Sequence, residues 1–558
     1  MQVVSDSCSN QIQTPFPQKK YVQYSVVFLL LVLAFGIRLL HITRPPLDFL
    51  SIRQYQSIHI ARGLYYETNA SVSEKEKKIA KLNMQRMGLL LEPRVLENAA
   101  VLGYQIAGAE RLWIPRTLSV VFWVSGGLFL YLIARMISSI GESLFSLSFY
   151  LFLPYSILVS RCFQPDPLML MMMLASIYTI LVYYEQPSIH KFLLSAATAS
   201  FAIFIKPYSL FPIWMVFIFL SIYKKGLRKT AYSIPAAFIF LSFIPAFFQY
   251  VYGMFNNVGF LQQHARGSFL PHLMLDLSFW KGWLVMLGDV TGYIFLALAV
   301  CGSVYARNGL PKTLLVSLWA GYFLFGLSAT YQIHTHSYYH IPFIPIAALS
   351  LGPMGTRAIK YLIKRWKMLV VLLLILSISS MVTGKLRLIS FLDKYKNELK
   401  TGAVFIGVNP RLKDFLADSY EEEIRIAEEI GAHVGHSTDT VFLTPSFGRI
   451  IAYHGNFSGL PWPTSQSLYA RRVRGSQLPN IKKDFTSDHL IIGYQGKFIE
   501  YSPDYFIVTD FQEYEIQSEL REHLTQNFPI LVNNKDYIIF DMRQKTVKAA
   551  AEKNIESN

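Results

Sequence analysis

Ionisable and aromatic side chains recur in five short polar turns of the sequence, each beside an apolar stretch. Ionisable groups at the boundary of a membrane are costly to bury and are often functional. The five turns therefore predict a polar site at one membrane boundary. Its candidate residues are Asp48, Arg53 and Gln54 in RPPLDFLSIRQYQSIHIAR, Glu92 in LLLEPRVLENAAVLGYQIAG, Arg161 and Asp166 in SRCFQPDPLML, Lys206 in FIKPYS, and His336, Tyr338 and Tyr339 in HTHSYYHIPFIP.

The first of these turns has the residues needed to take a proton from a hydroxyl group. Ser51 to Gln54 matches a capping box, which predicts a helix beginning at Ile52 and lying along the membrane interface. Asp48 precedes that helix, near its positive end, where the ionised carboxylate is favoured. An ionised carboxylate held at a membrane boundary can act as a general base toward a hydroxyl.

The elements that position these turns are membrane spans. The 558 residues are 52% hydrophobic and 16% charged, whereas a soluble protein carries about 25% charged residues. Long continuous apolar runs recur through the first two thirds, which predicts a polytopic α-helical membrane protein. We predict about eleven spans, at residues 21–41, 113–134, 143–160, 167–184, 192–205, 207–223, 231–252, 288–305, 314–330, 341–355 and 368–382.

The net charge of +16 is concentrated in short loops between the apolar runs. Such loops orient a membrane protein with its basic side in the cytoplasm, so the charge does not indicate a nucleic-acid partner. This rule predicts a multi-pass protein of the plasma or inner membrane, with a cytoplasmic N-terminus and all five polar turns outside. The three cysteines have no metal-ligand or disulfide spacing.

The tract Phe192–Tyr223 is interrupted by Lys206-Pro207, and one continuous helix there would reverse the sidedness of every later loop. Two short spans keep the basic loops on one side, so we prefer them. A 14-residue helix reaches only about 21 Å, less than a bilayer core of about 30 Å. Lys206 is therefore expected to lie recessed below the outer surface, or beside a water-filled cavity.

Beyond Val382 the composition becomes that of a soluble α/β protein. The segments DTVFLT, DHLIIGY, DYFIVTDF and DYIIFDM predict strands, and helical patterns cover residues 412–434 and 513–528. The predicted organisation is a cytoplasmic tail at 1–20, a transmembrane domain at 21–384 with an outer loop at 43–112, and a soluble extracytoplasmic α/β domain at 385–558.

The order and common sidedness of these motifs resemble the glycosyltransferase C superfamily. The nearest types are bacterial protein-mannosyltransferase-like enzymes of family 39 and the aminoarabinose transferases of lipid A. The resemblance covers most of the chain. One departure is that the second proline and the tyrosine of an EPPLY-like turn are Arg94 and Leu96 here. The motifs that carry the resemblance are Asp48 followed by IRQYQSIHIAR, EPRVLENAAVLGYQIAG, IPRTLSVVF, QPDPLM, Lys206-Pro207 and HSYYHIPFIP.

The resemblance implies an enzyme that moves a sugar from a polyprenyl-phosphate-linked donor to an extracytoplasmic glycan, lipid or protein. The transition state is oxocarbenium-like, and fixed cations stabilise the leaving phosphate. Asp48 would be the general base, and direct displacement would invert the anomeric carbon. The candidate cations are Lys206, Arg53 and His336.

The resemblance gives the other turn residues supporting roles. Asp166 would orient the sugar or acceptor, or hold a cation, and Gln54 would contact the donor. Tyr338 and Tyr339 would pack against the isoprenoid or the sugar. Two further candidates are Glu92 and Arg161.

Simpler interpretations stay open for several of these residues. The His334-Thr335-His336 pair lacks a clear third metal ligand, so we assign no metal site and no certain cofactor, although need for a divalent metal is left open. The alternatives are a solvated loop acid at Asp48, a helix cap at Asp166, a snorkelling lysine at Lys206, a flanking cation at Arg161, and helix-start polar residues at Arg53 and Gln54.

Two other functions also stay open. A polysaccharide polymerase or ligase using lipid-diphosphate-linked glycans would share a cationic cavity, but its main soluble part is expected between spans. A lipid-sugar transporter would place polar residues near the bilayer midplane within repeated halves, and neither feature is present in this sequence.

Overall fold

The computed structural model describes residues 20–88, 92–226, 232–256, 267–364, 420–474, 490–494 and 497–544. The described residues up to 364 form helices and the turns between them, and the described residues from 420 onward form a sheet with flanking helices. The helices of the first part are α1 (Lys20–Leu39), α2 (Ser51–Thr68), α3 (Glu74–Met87), α4 (Val95–Ala107), α5 (Trp113–Ile137), α6 (Ile140–Phe152), α7 (Pro154–Val159), α8 (Asp166–Glu185), α9 (Ile189–Ile205), α10 (Leu210–Lys225), α11 (Ser233–Asn256), α12 (Leu277–Thr291), α13 (Tyr293–Val304), α14 (Leu310–Ser328), α15 (Thr330–Ile333) and α16 (Phe343–Lys364).

Within the described ranges, six helices are long and apolar enough to cross a membrane, or up to seven if one bent pair counts as a single span. Three shorter apolar helices, Ile140–Phe152, Ile189–Ile205 and Phe343–Gly355, accompany them. The chain is therefore a polytopic helical membrane protein. The predicted span at 368–382 and the predicted domain boundary at 384/385 lie outside the described residues. The six helices that are long and apolar enough to cross a membrane are Lys20–Leu39, Trp113–Ile137, Asp166–Glu185, Pro207–Lys225, Ser233–Gly253 and Leu310–Ser328.

Two breaks in the helices differ in how well the sequence predicted them. The predicted interruption at Lys206-Pro207 is confirmed, since α9 ends at Ile205 and a 3-10 turn precedes α10. The predicted span at 288–305 is wrong, because α12 and α13 meet there at 96°. Gly292 joins them with φ 79° and ψ 143°, a conformation that glycine adopts without steric cost.

Small residues allow the membrane helices to pack closely. At Gly321 of α14, an added Cβ would lie 2.5 Å from the Cα of Pro212 in α10, so only glycine permits this approach. Small residues serve the same purpose at helix contacts in membranes generally, where apolar lipid gives little hydrophobic driving force.

The segment between α1 and α5 folds into α2, α3 and α4. The predicted capping box at Ser51 is wrong, because α2 begins at Ser51 and its N-cap is Leu50, in the left-handed region at φ 48° with no side-chain cap. A capping box does form at α3, between Ser73 and Glu76. The side chains of α2 are mostly buried by other parts of the protein, and its position along the membrane interface stays a prediction.

The described residues after 420 form a five-stranded mixed sheet in the order β2-β1-β5-β7-β6, and β3 and β4 pair separately. β1 pairs in parallel with β2 and β5, whereas β7 is antiparallel to β5 and β6. The strands are β1 (Thr440–Leu443), β2 (Gly459–Pro461), β3 (Leu490–Tyr494), β4 (Lys497–Tyr501), β5 (Tyr505–Val508), β6 (Ile530–Asn533) and β7 (Ile538–Asp541). The helices are α17 (Glu421–His433), α18 (Arg449–His454), α19 (Ser465–Val473), α20 (Phe511–Ile516) and α21 (Ser518–Asn527).

The sheet packs against α3. Met87 at the end of α3 is buried within the apolar cluster that contains Phe442 of β1. Asn83 donates from Nδ2 to the carbonyl of Phe457 at 2.9 Å, and Arg86 donates to the carbonyl of Thr438. These contacts place the C-terminal part directly against α3.

Candidate functional site

Four of the predicted residues form one connected ionic cluster. Lys206 Nζ lies 2.8 Å from Asp166 Oδ2 and 3.2 Å from Glu92 Oε1. Arg53 Nη2 donates to both Glu92 oxygens at 2.9 Å. We name these four residues the ionic cluster. It joins α2 to the start of α8 and to the break between α9 and α10.

Local sequence explains why these four side chains converge. Pro207 disfavours helical backbone at the preceding residue, so Lys206 is extended with φ −148° and ψ 112°. Asp166 begins α8, whose positive end favours a carboxylate there. Arg53 lies in the first turn of α2, and Glu92 lies three residues before α4. Lys206 is buried within the protein and only 3% exposed, and its depth relative to the membrane surface stays a prediction.

Opposite charges nearby keep Glu92 and Arg53 ionised despite burial. Burial alone would raise the pKa of Glu92, but the charges of Arg53 and Lys206 lower it to about 2. Burial opposes the charge on Arg53, while Glu92, Tyr338 and Asp166 raise its pKa. A buried charge is tolerated when it is paired and hydrogen-bonded in this way.

Asp48 belongs to a second, adjacent group of residues. Its Oδ2 lies 3.0 Å from Arg116 Nη2 and 3.4 Å from Arg161 Nε, and its Oδ1 accepts from the backbone of Phe49. Arg116 and Arg161 also donate to backbone carbonyls at the end of α1, including that of Leu40. The two arginines therefore fix both the Asp48 carboxylate and the loop that carries it.

Gln54 connects the first and third polar turns. Its Nε2 donates to the carbonyl of Phe49 at 2.7 Å, and its Oε1 accepts from the backbone of Phe163 at 3.0 Å. The amide thus holds together the loops on which Asp48 and Asp166 lie. Gln164, which follows Phe163, is fully buried, and neither its Nε2 nor its Oε1 has a hydrogen-bond partner among the described residues.

Aromatic rings border the ionic cluster. Tyr208 donates to Asp166 Oδ1 at 2.7 Å, and its ring stacks on Phe325 at 4.7 Å between centroids. Lys206 Nζ lies 5.9 Å from the ring centroid of Tyr338, whose own ring is 4.9 Å from that of Tyr339. The two predicted tyrosines therefore lie beside the ionic cluster.

His336 lies next to both tyrosines, with ring centroids 5.5 and 6.1 Å away. Burial, Arg474 and His334 lower the pKa of His336 to about 4. The ring is therefore neutral near pH 7, so it can bind a phosphate only through a hydrogen bond and not as a cation. Among the described residues, no group of three or more His, Cys, Asp or Glu side chains could hold a metal ion.

Sequence reasoning missed three residues of this region. Arg116 lies in the quoted IPRTLSVVF motif, but only the fold reveals that it contacts Asp48. Tyr208 follows Lys206-Pro207 by one residue, and this proximity was an available signal. Arg449 comes from α18, almost 400 positions after α2, and nothing in the sequence indicated its contact with the Ile52 carbonyl.

Comparison with known proteins gives one family match and several shared folds. Residues 92–248, which include Glu92, Asp166 and Lys206, match the family described as dolichyl-phosphate-mannose-protein mannosyltransferase. No curated protein sequence matches the chain.

Two proteins of known structure have a fold similar to that of this chain. ArnT from Cupriavidus metallidurans, bound to undecaprenyl phosphate, is 12% identical with a TM-score of 0.50, covering 94% of this chain and 97% of that one. The same ArnT in the apo state is 12% identical with a TM-score of 0.54, over 93% and 98%. The apo oligosaccharyltransferase of Archaeoglobus fulgidus is 10% identical with a TM-score of 0.50, over 92% and 73%. The resemblance to the glycosyltransferase C superfamily is confirmed.

Proposed function

We propose that this membrane protein, which resembles the glycosyltransferase C superfamily, transfers a sugar from a polyprenyl-phosphate carrier to an acceptor outside the cytoplasm. The observation that carries the proposal is the position of Lys206 at a helix break, 3% exposed and between two carboxylates. Costly buried charge at the end of membrane helices is a usual mark of a functional site.

The proposed donor is a sugar linked to a single polyprenyl phosphate. The family matched by residues 92–248 is named for dolichyl-phosphate-mannose, and the ArnT structure of similar fold is bound to undecaprenyl phosphate. In this chain Lys206 and Arg53 would face the phosphate, and Tyr338 and Tyr339 would line the approach of the isoprenoid or the sugar. Membrane lipid would surround the carrier's tail.

The proposed reaction is a direct displacement at the anomeric carbon. The acceptor oxygen forms a bond to that carbon, and the bond from the carbon to the phosphate oxygen breaks. The electron pair leaves on the phosphate, where cations placed in advance stabilise the growing charge. The configuration of the anomeric carbon inverts.

Asp48 is the proposed general base that takes the acceptor's proton. Arg116 and Arg161 lie beside its Oδ2, and Oδ1 accepts only one hydrogen bond in the described residues, from Phe49. The free lone pairs of Oδ1 would receive the proton. Asp166 is proposed to orient Lys206, because its two oxygens contact Lys206 and Tyr208.

The class of the donor is tested with the purified full chain, reconstituted into liposomes together with membrane material that supplies the acceptor. Radiolabelled sugars are supplied on a polyprenyl monophosphate or as diphosphate-linked glycans. We expect transfer and release of polyprenyl phosphate with the monophosphate donor only. Transfer from the diphosphate donor alone would indicate a polymerase or ligase. Movement of the intact donor between leaflets without transfer would indicate a transporter.

A further inference from the structure

The short helix α18 of the C-terminal part is fastened to α2 by four hydrogen bonds, one of which runs from Arg62 Nη1 to the carbonyl of Tyr453 at 2.9 Å. His59 Nε2 lies 2.8 Å from the carbonyl oxygen of Arg449, and Arg449 Nη1 donates to the carbonyl of Ile52 at 3.1 Å. Tyr55 Oη and His454 Nε2 are 2.6 Å apart. The Arg449 guanidinium is therefore held at the first turn of α2, on the carbonyl of Ile52, which is the residue before Arg53.

This guanidinium is buried but only partly used. Arg449 is 8% exposed, and within the described part of the chain its side chain donates only through Nη1. Its Nε is buried without an acceptor, and Nη2 on the same edge donates to none of the described residues. That edge of a guanidinium is a planar fork of two parallel donors, which matches two oxygens of a phosphate. Leaving the Nε donor buried without an acceptor is costly.

The surrounding charges also favour an anion at this place. Arg53, whose own Nε is buried without an acceptor, repels the positive charge of Arg449, and Tyr338 interacts with both. Arg449 therefore adds a third cation to Arg53 and Lys206, against the two carboxylates Glu92 and Asp166. A phosphate would satisfy the open donors and neutralise the excess charge.

We propose that Arg449 is a binding residue for the phosphate of the polyprenyl donor, so that the C-terminal part completes the donor site. This inference rests on the proposed function. The Nε and Nη2 hydrogens would donate to two phosphate oxygens, while Nη1 stays on the Ile52 carbonyl. Donor binding would then require α18 to be docked on α2.

The test measures binding of sugar-free polyprenyl phosphate, and of the uncharged polyprenol, to the full chain in nanodiscs. The variants are Arg449→Gln, which removes the charge and the fork, and Arg449→Lys, which keeps the charge alone. Loss of a charged hydrogen bond predicts affinity for the phosphate about 10-fold or more lower in Arg449→Gln and an intermediate loss in Arg449→Lys. Binding of polyprenol should not change.

A matched control is Tyr55→Phe, which removes the hydrogen bond to His454 at the same contact and leaves the fork intact. It is expected to bind polyprenyl phosphate with wild-type affinity. Thermal unfolding of every variant separates lost binding from lost folding. If Arg449→Gln unfolds, the Arg449→Lys result decides, and wild-type affinity in that variant would overturn the role of the fork.

Two outcomes separate this inference from the proposed function. If the wild type binds polyprenyl phosphate no better than polyprenol, the proposed donor is wrong. If the wild type prefers the phosphate and Arg449→Gln binds it equally well, only the role of Arg449 is wrong. Normal donor binding with lost transfer in Arg449→Gln would also overturn the inference and would assign the fork to an anionic acceptor.

Discussion

Lys206 Nζ lies 2.8 Å from Asp166 Oδ2, which joins the break between α9 and α10 to the first residue of α8. Both side chains are almost fully buried, at 4% and 0% exposed. A buried ammonium of this kind persists only with charged partners, and removal of one partner leaves an uncompensated charge. The pair therefore supports the ionic cluster and limits which substitutions the site tolerates.

Tyr208→Phe removes the hydrogen bond to Asp166 Oδ1 and keeps the ring on Phe325. Because a hydrogen bond to a charged group is worth about 1.5 kcal/mol or more, we expect kcat about 10-fold lower with little loss of stability. The measurement is the rate of sugar transfer at saturating donor.

A matched control is Tyr184→Phe, which removes a buried hydroxyl near the other end of α8 that bonds to the Phe217 carbonyl. This variant should transfer sugar at the wild-type rate. Equal losses in Tyr208→Phe and Tyr184→Phe would contradict a specific role for Tyr208.

Glu97→Gln tests a buried carboxyl group next to the ionic cluster. Burial raises the pKa of Glu97, and the carboxyl oxygen Oε1 accepts a hydrogen bond from the Ser57 hydroxyl at 2.7 Å. A raised pKa in the folded state means that stability is lost as pH rises through that pKa. Glutamine cannot ionise, so the thermal midpoint of Glu97→Gln should exceed that of the wild type at pH 8.

The wild type and Glu97→Gln should have closely similar thermal midpoints at pH 4, where the carboxyl group of Glu97 is protonated. Thermal unfolding in detergent between pH 4 and pH 8 measures the difference. A difference that stays constant across this range would mean that the ionisation of Glu97 is not its cause.

Gly321→Ala should lower stability, because its new Cβ would lie 2.5 Å from Pro212 Cα and would force α14 away from α10. Overpacking of a tight contact costs about 1–3 kcal/mol. Gly36→Ala in α1 is the control, since an added Cβ there meets nothing within 4 Å. Thermal unfolding in detergent should show a lower midpoint for Gly321→Ala only, and an equal effect of both would contradict close packing at Gly321.

The sequence allowed prediction of those parts of the site that depend on local patterns. The apolar runs and the charge rule placed Asp166 and Lys206 on the same side, and the proline after Lys206 indicated the helix break. These inferences need no knowledge of contacts between distant segments, which explains why they succeeded.

Features that depend on tertiary contacts could not be predicted in this way. Ser51 to Gln54 has the residues of a capping box, but Gln54 instead bonds to the loops at Phe49 and Phe163, and Leu50 adopts a left-handed conformation. The contact of Arg449 with α2 joins segments almost 400 residues apart. No periodicity or motif carries information about such a contact.

The central claim is tested most directly by comparing sugar transfer from a labelled polyprenyl-phosphate donor by the wild type and Asp48→Asn. Asparagine keeps the shape but is a far poorer proton acceptor, and general-base catalysis contributes about 10²–10⁴-fold. Because Arg116 and Arg161 contact Asp48, donor affinity and thermal unfolding are measured on the same samples.

We predict transfer by the wild type and a rate at least about 100-fold lower in Asp48→Asn, with donor affinity retained. Equal transfer by both proteins would contradict the role of Asp48 as base. Absence of transfer by the wild type from every monophosphate donor would contradict the proposed function itself.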